Sequence, residues 1–171
     1  MNILLVIDMQ PGFSASRSDW MLENVSREII SAMERRDGIL FLEYTRGMGV
    51  LGVEVKNRTH SCLMDLVADY RNARIAHKDE DGGGEVVMRA IDDWLHSYRG
   101  DAEEIVVTGV NKMACVRSTI EELSDLLPET KITLIGDACS NGCPPDRPSN
   151  DGYDEIASKG PNVRVLEAVG V

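Results

Sequence analysis

Three side chains able to act together in nucleophilic chemistry stand at the ends of apolar runs. Asp8 closes Ile3-Leu4-Leu5-Val6-Ile7, Lys78 closes Ala73-Arg74-Ile75-Ala76-His77, and Cys115 follows Ile105-Val106-Val107-Thr108-Gly109-Val110. A thiol can attack an electrophilic carbon, a carboxylate can take its proton, and an ammonium can hold the carboxylate and favour the thiolate. Far apart in sequence, the three cooperate only if the fold gathers the run ends. An open parallel sheet does so, because ligands bind in the crevice beyond the carboxyl ends of its strands.

Each residue also has a plainer reading. Cys115 lies about five residues past its strand, at the start of a predicted helix, where unpaired N–H groups and a partial positive charge stabilise a thiolate. A free cysteine is otherwise a small buried hydrophobe. Asp8 can cap a backbone, bind a metal or act as a base. An Asp-x-Asp phosphotransferase needs a second carboxylate where Gln10 stands, and a phospho-receiver domain needs an adjacent acid where Asp8 has Ile7 and Met9. Lys78 precedes Asp79, Glu80 and Asp81 and could pair with them at the surface, a contact worth little.

The elements that would position these residues follow from hydrophobic periodicity. Strands are predicted over 2–8, 39–45, 72–78, 104–110 and 131–137, with a weaker one over 162–166. Their runs lack strict polar alternation, as suits strands covered on both faces. Helices are predicted over 20–36, where Leu22, Val25, Ile29, Ile30 and Met33 share a face with Gly38 as the stop, and over 85–99, stopped by Gly100. A third covers 114–127, ended by Pro128, and a shorter one 60–69. Strand and helix alternate, which predicts an α/β fold: a single-domain, Rossmann-like three-layer arrangement with a five- to six-stranded, mainly parallel sheet. Three irregular stretches, 46–57, 79–84 and 139–152, fall on the rim where strands end, the place for substrate-shaping loops.

Charge and composition remove several function classes. With 18 basic and 29 acidic residues the net charge is −11, leaving no excess of cations to neutralise phosphates or anionic lipid headgroups. No nucleic-acid or membrane partner is expected. No run approaches the ~20 apolar residues of a membrane span, and the N-terminal run lacks a basic leader. A cytoplasmic protein with reduced Cys62, Cys115, Cys139 and Cys143 is expected.

Val6-Ile7-Asp8-Met9-Gln10 with Phe13, then Lys78 closing a later strand, then Gly109-Val110-Asn111-Lys112-Met113-Ala114-Cys115-Val116-Arg117, resembles the isochorismatase-like cysteine hydrolase superfamily, which contains nicotinamidases, pyrazinamidases and related amidases. Asp137-Ala138 is also similar to the family pattern. The resemblance implies a catalytic triad of Asp8, Lys78 and Cys115, and a cis peptide at Val110–Asn111. It further implies an oxyanion hole from the backbone N–H groups of Asn111 and Cys115, a substrate pocket built with Phe13 and Gln10, and a homodimer or higher homo-oligomer. The whole chain, 1–171, would be one such hydrolase domain.

The chain departs from that pattern in two places. Tyr44-Thr45-Arg46-Gly47-Met48-Gly49-Val50 carries no Asp-x-His metal pair, and Asp81-Gly82-Gly83-Gly84-Glu85 replaces a small-aromatic segment. No metal and no cofactor is therefore expected. The activity implied is hydrolysis of a small amide or related C–N acyl compound through a thioester, with a small molecule as partner. A second reading is a catalytically silent member of the same fold used for binding or assembly. A phospho-receiver domain comes third.

Three further motifs carry less. Cys139-Ser140-Asn141-Gly142-Cys143 has neither redox nor zinc spacing, although Cys139 is placed to touch the site. His77 should point away from Lys78, toward a core or interface role. The Gly82–Gly84 run matches no phosphate-binding pattern and reads as a flexible loop.

Overall fold

Strands that are apolar on both faces need cover on both sides, and the chain provides it. The computed structural model describes residues 1–45, 58–98, 102–141 and 150–166, of which 95–98 by backbone alone. The strands are β1 (Ile3–Ile7), β2 (Gly38–Tyr44), β3 (Ala73–Lys78), β4 (Glu104–Val110), β5 (Lys131–Ser140) and β6 (Val163–Leu166). They form one sheet in the order β3-β2-β1-β4-β5-β6, every neighbouring pair parallel. The expected sheet is thus six-stranded and wholly parallel.

Helices α1 (Asp19–Arg35) and α2 (Ser61–Leu66) cover one face; α3 (Gly84–Tyr98), α4 (Arg117–Leu126) and α5 (Tyr153–Ala157) cover the other. Alternation along β1 divides the core between them. Ile3, Leu5 and Ile7 pack with Trp94, Val116 and Ile120, while Leu4 and Val6 pack with Met21, Val25 and Ile29. Burying such side chains stabilises by roughly 1.5–3 kcal/mol each before chain entropy is counted.

Several sequence expectations shift in detail. Helix α1 ends on Arg36 in the left-handed region (φ 63°), whose N–H bonds Met33, not on a glycine. Gly38 instead opens β2, where a Cβ would lie 2.7 Å from Ile3 Cδ1 and 2.9 Å from the Trp94 ring. Ile30 faces solvent, and Met21 and Ala32 take core positions. The stretch expected to be irregular after residue 138 continues β5 to Ser140. Gly100, the loop 46–57, and Cys143 with its proline-rich neighbours lie outside the described residues.

The Gly82–Gly84 run is tightly packed. Gly84 N–H donates to Glu122 Oε2 at 2.7 Å, and a Cβ on Gly83 would lie 2.6 Å from Leu42 Cδ2 and 3.1 Å from Lys78 Cδ. His77 is exposed beside Glu43, its Nδ1 3.6 Å from the carboxylate, rather than in the core, because β3 is an edge strand. Among the described residues no helix is long and apolar enough to cross a membrane.

Candidate active site

β1 pairs with β2 on one side and β4 on the other, so successive connections leave β1 in opposite directions. A crevice opens beyond the ends of β1 and β4 at such a switch point. The backbone there is unusual at three places. Asp8 (φ 54°) and Asn111 (φ 59°) are left-handed, and Gly109 has φ 134°. Asp and Asn are the non-glycine types that tolerate the left-handed region best. Gly109 is required, since a Cβ there would overlap the Ile7 carbonyl of the neighbouring strand. Non-glycine residues held this way cluster at functional sites.

Asp8 follows β1 directly, and its N–H donates to Leu42 O at 2.9 Å. Its side chain is fully buried. Lys78 Nζ, at the end of β3 and equally buried, lies 3.4 Å from Asp8 Oδ2 and donates to Asp81 O at 2.7 Å. Neither Asp8 oxygen has a hydrogen bond of normal geometry among the described residues. The carboxylate faces the Lys78 ammonium, with Cys115 and Asn111 also beside it.

Cys115 lies in a π-helical turn, Lys112–Val116, that runs into α4, with Asn111 at its cap. Asn111 Nδ2 approaches Cys115 Sγ at 3.9 Å. Burial raises the Asp8 pKa; the Lys78 charge, and the proximity of Cys115, Lys78 and Asn111, pull it part of the way back. The Cys115 thiol is pushed up to about 12, by burial first and by the Asp8 charge second, against the weaker pull of Lys78. Burial and the facing carboxylate thus work against the thiolate that the helix start was expected to favour.

A cleft of about 460 Å³ opens over Cys115, lined by Phe13, Tyr44, Asp81, Asn111, Met113, Ala114 and Asn141. Phe13 lies on its wall, edge-on to Tyr44 with centroids 6.1 Å apart. Gln10 does not line the cleft. Its side-chain amide accepts from Tyr44 N–H at 2.8 Å and donates to Tyr44 O at 3.1 Å, extending the β1–β2 pairing by side chain. Cys139 is fully buried below β4 and also stays out of the cleft.

Tyr44, Asp81, Met113 and Asn141 were not singled out from the sequence. Tyr44 had a readable position, the last residue of a strand on the same rim. Asn141 earns its place by accepting the Met113 N–H at 2.8 Å, which ties the end of β5 to the turn carrying Cys115. Lys112 supports that turn from beneath, fully buried, its Nζ 4.2 Å from the centre of the Tyr153 ring. Burial lowers its pKa, opposed by Cys139 and Asp151.

His60 Nε2 is 2.8 Å from Ser16 Oγ, fastening the chain before α2 to the turn that carries Phe13. Among the described residues no three His, Cys, Asp or Glu side chains converge to hold a metal ion.

Comparison with solved structures extends the geometry. A nicotinamidase from Staphylococcus aureus superposes with a TM-score of 0.73 at 17% identity, covering 98% of each chain. An N-carbamoylsarcosine amidase from Thermoplasma acidophilum gives 0.66 at 12% identity over 100% of this chain and 99% of that one. A ribonuclease from Caenorhabditis elegans gives 0.69 at 16% identity over 98% of this chain and 76% of the other. No family model and no curated protein matches the chain. One architecture hosting such different activities leaves function to the site. The doubly covered parallel sheet of this chain is the isochorismatase-like fold, shared with nicotinamidases and N-carbamoylsarcosine amidase.

Proposed function

We propose that the protein is a cysteine-dependent hydrolase of a small amide or related C–N acyl compound, working through a thioester on Cys115. The observation that carries this reading is the buried Asp8–Lys78 pair, 3.4 Å apart, at the strand ends behind the buried thiol that floors an open cleft. Burying an ion pair is costly, and a hydrophobic pair would often serve stability better. A use for the two charges accounts for their presence.

The steps follow from the protonation states. Cys115 rests as a thiol with its pKa near 12, so its proton must leave as sulfur bonds to the carbonyl carbon. Asp8 receives that proton. Its raised pKa makes it a stronger base than an ordinary carboxylate and narrows the mismatch with the thiol. Lys78 keeps Asp8 ionised until the proton arrives.

Backbone N–H groups of Asn111 and Cys115 hold the developing oxyanion. Collapse of the tetrahedral intermediate breaks the C–N bond, and Asp8 returns its proton to the leaving nitrogen. Water then attacks the thioester with Asp8 as base, releasing the acid and restoring the thiol.

The test is an ammonia-release screen over small amides, ureas and carbamoyl compounds, with Cys115→Ala alongside. Turnover that the substitution reduces by at least about a thousandfold supports the assignment. Turnover unaffected by the substitution would refute Cys115 as nucleophile, and no turnover of any compound by the wild type favours the binding reading of the fold.

A further inference from the structure

The charge inside the cleft differs from the charge behind it. Two cations stand near, and both are engaged: Lys78 by Asp8, the Asp81 carbonyl and the Tyr44 ring, and Lys112 by the Tyr153 ring. Among the described residues that line the cleft Asp81 is the one acidic residue and none is basic; the others include Phe13, Tyr44 and the neutral amides of Asn111 and Asn141.

The field around this rim has the same sign as Asp81. A second cleft of about 570 Å³ is bordered by five acids, Asp79, Glu80, Glu85, Glu122 and Asp125, against two bases, Lys78 and Arg89. The chain as a whole carries −11. A cleft whose rim and surroundings share one sign of charge concentrates ligands of the opposite sign and repels the same sign. The Phe13 ring adds to the attraction for a cation, whereas the Tyr44 ring already has the Lys78 ammonium 5.6 Å from its centre.

Resting on the hydrolase reading above, we infer that the cleft takes substrates bearing a positive charge, an amide carrying an ammonium or other cationic nitrogen beside the scissile group, with Asp81 as the residue that selects it. A carboxylate-bearing amide meets Asp81 and finds no cationic side chain among the described lining residues to receive it. The amide end of the substrate lies over Cys115, and the cationic end faces Asp81 and Phe13.

Charge-matched thiol reagents test this without any known substrate. The probes are the trimethylammonium-ethyl and the sulfonatoethyl methanethiosulfonates. In each reaction the Cys115 sulfur attacks the sulfenyl sulfur, a disulfide forms, methanesulfinate leaves and the thiol proton passes to Asp8 or solvent. Rates at Cys115 are read by peptide mass spectrometry, and the exposed Cys62 in the same sample reports the general field of the protein.

The cation-to-anion rate ratio at Cys115 should exceed that at Cys62. In Asp81→Asn it should fall roughly three- to tenfold at Cys115, as expected for loss of a unit charge from the wall of a wet cleft, while the ratio at Cys62 stays put. The substitution keeps the Asp81 carbonyl that receives Lys78 Nζ. Equal ratios at the two cysteines, faster anionic labelling at Cys115, an unchanged ratio in Asp81→Asn, or Cys115 labelled by neither reagent would each overturn the assignment. The labelling reports only the charge selectivity of the cleft. The Cys115→Ala ammonia assay separately tests the hydrolase reading, so either can fail alone.

Discussion

Replacing Lys78 with Met removes the ammonium from the buried pair while keeping most of the side-chain volume. Two unit charges 3.4 Å apart attract by roughly 5 kcal/mol at an effective dielectric of ~20. Without that attraction Asp8 has a cheaper course than staying charged, which is to bind a proton. Holding it protonated costs about 1.4 kcal/mol per pH unit above the ordinary carboxylate value, hence about 4 kcal/mol near pH 7. The wild type already carries part of this cost, because its own Asp8 pKa is raised.

The variant should therefore be destabilised by about 2–4 kcal/mol near pH 7 and by no more than about 1.5 kcal/mol near pH 5. The sign is set by proton binding. A folded state that holds a proton the unfolded state has released loses stability as pH rises. Urea unfolding across this pH range measures it, with the double variant Asp8→Asn/Lys78→Met as control. In the double variant the added pH dependence should vanish, since no carboxylate remains. A Lys78→Met protein within about 1 kcal/mol of wild type at every pH would mean that the two groups are not the buried pair described.

Other outcomes follow from the same geometry. The raised Asp8 pKa places the acid limb of kcat/KM above the ordinary carboxylate value of 3.8, activity rising with pH as the base forms; a pH–rate profile reads it. Iodoacetamide labelling of Cys115 in the free protein should keep accelerating well above neutral pH, as its pKa near 12 requires. Gly109→Ala should cost more than about 2 kcal/mol in denaturant unfolding, because a Cβ meets the Ile7 carbonyl in a backbone conformation alanine resists. Gln10→Ala should cost about 1–2 kcal/mol by leaving part-buried Tyr44 backbone groups without these partners.

Much of the frame was legible because parallel strands buried on both faces leave nearly continuous apolar runs, and those runs end at the residues that matter. Asp8 and Lys78 are read directly from where Ile3–Ile7 and Ala73–His77 stop. Cys115 is read from a strand, a glycine and a short turn. What escaped belongs to contacts between distant loops. Nothing around Gln10 tells that its amide continues the β2 pairing, and nothing around Asp81 or Asn141 tells that both face the cleft. The glycines at 82–84 read as slack because composition cannot distinguish a loose loop from one pressed against Glu122 and Lys78. The surroundings of the Cys115 thiol were hidden for a related reason. A helix start is visible in sequence, whereas the burial and the facing carboxylate that oppose the thiolate are products of the fold.

The most direct measurement is the mass of the Cys115 peptide after acid quenching during turnover of a hydrolysed amide. The expected result is an acyl adduct on Cys115 in the wild type, absent from Cys115→Ser together with turnover. Steady turnover with an unmodified Cys115 peptide and an active Cys115→Ser protein would contradict nucleophilic catalysis by this thiol.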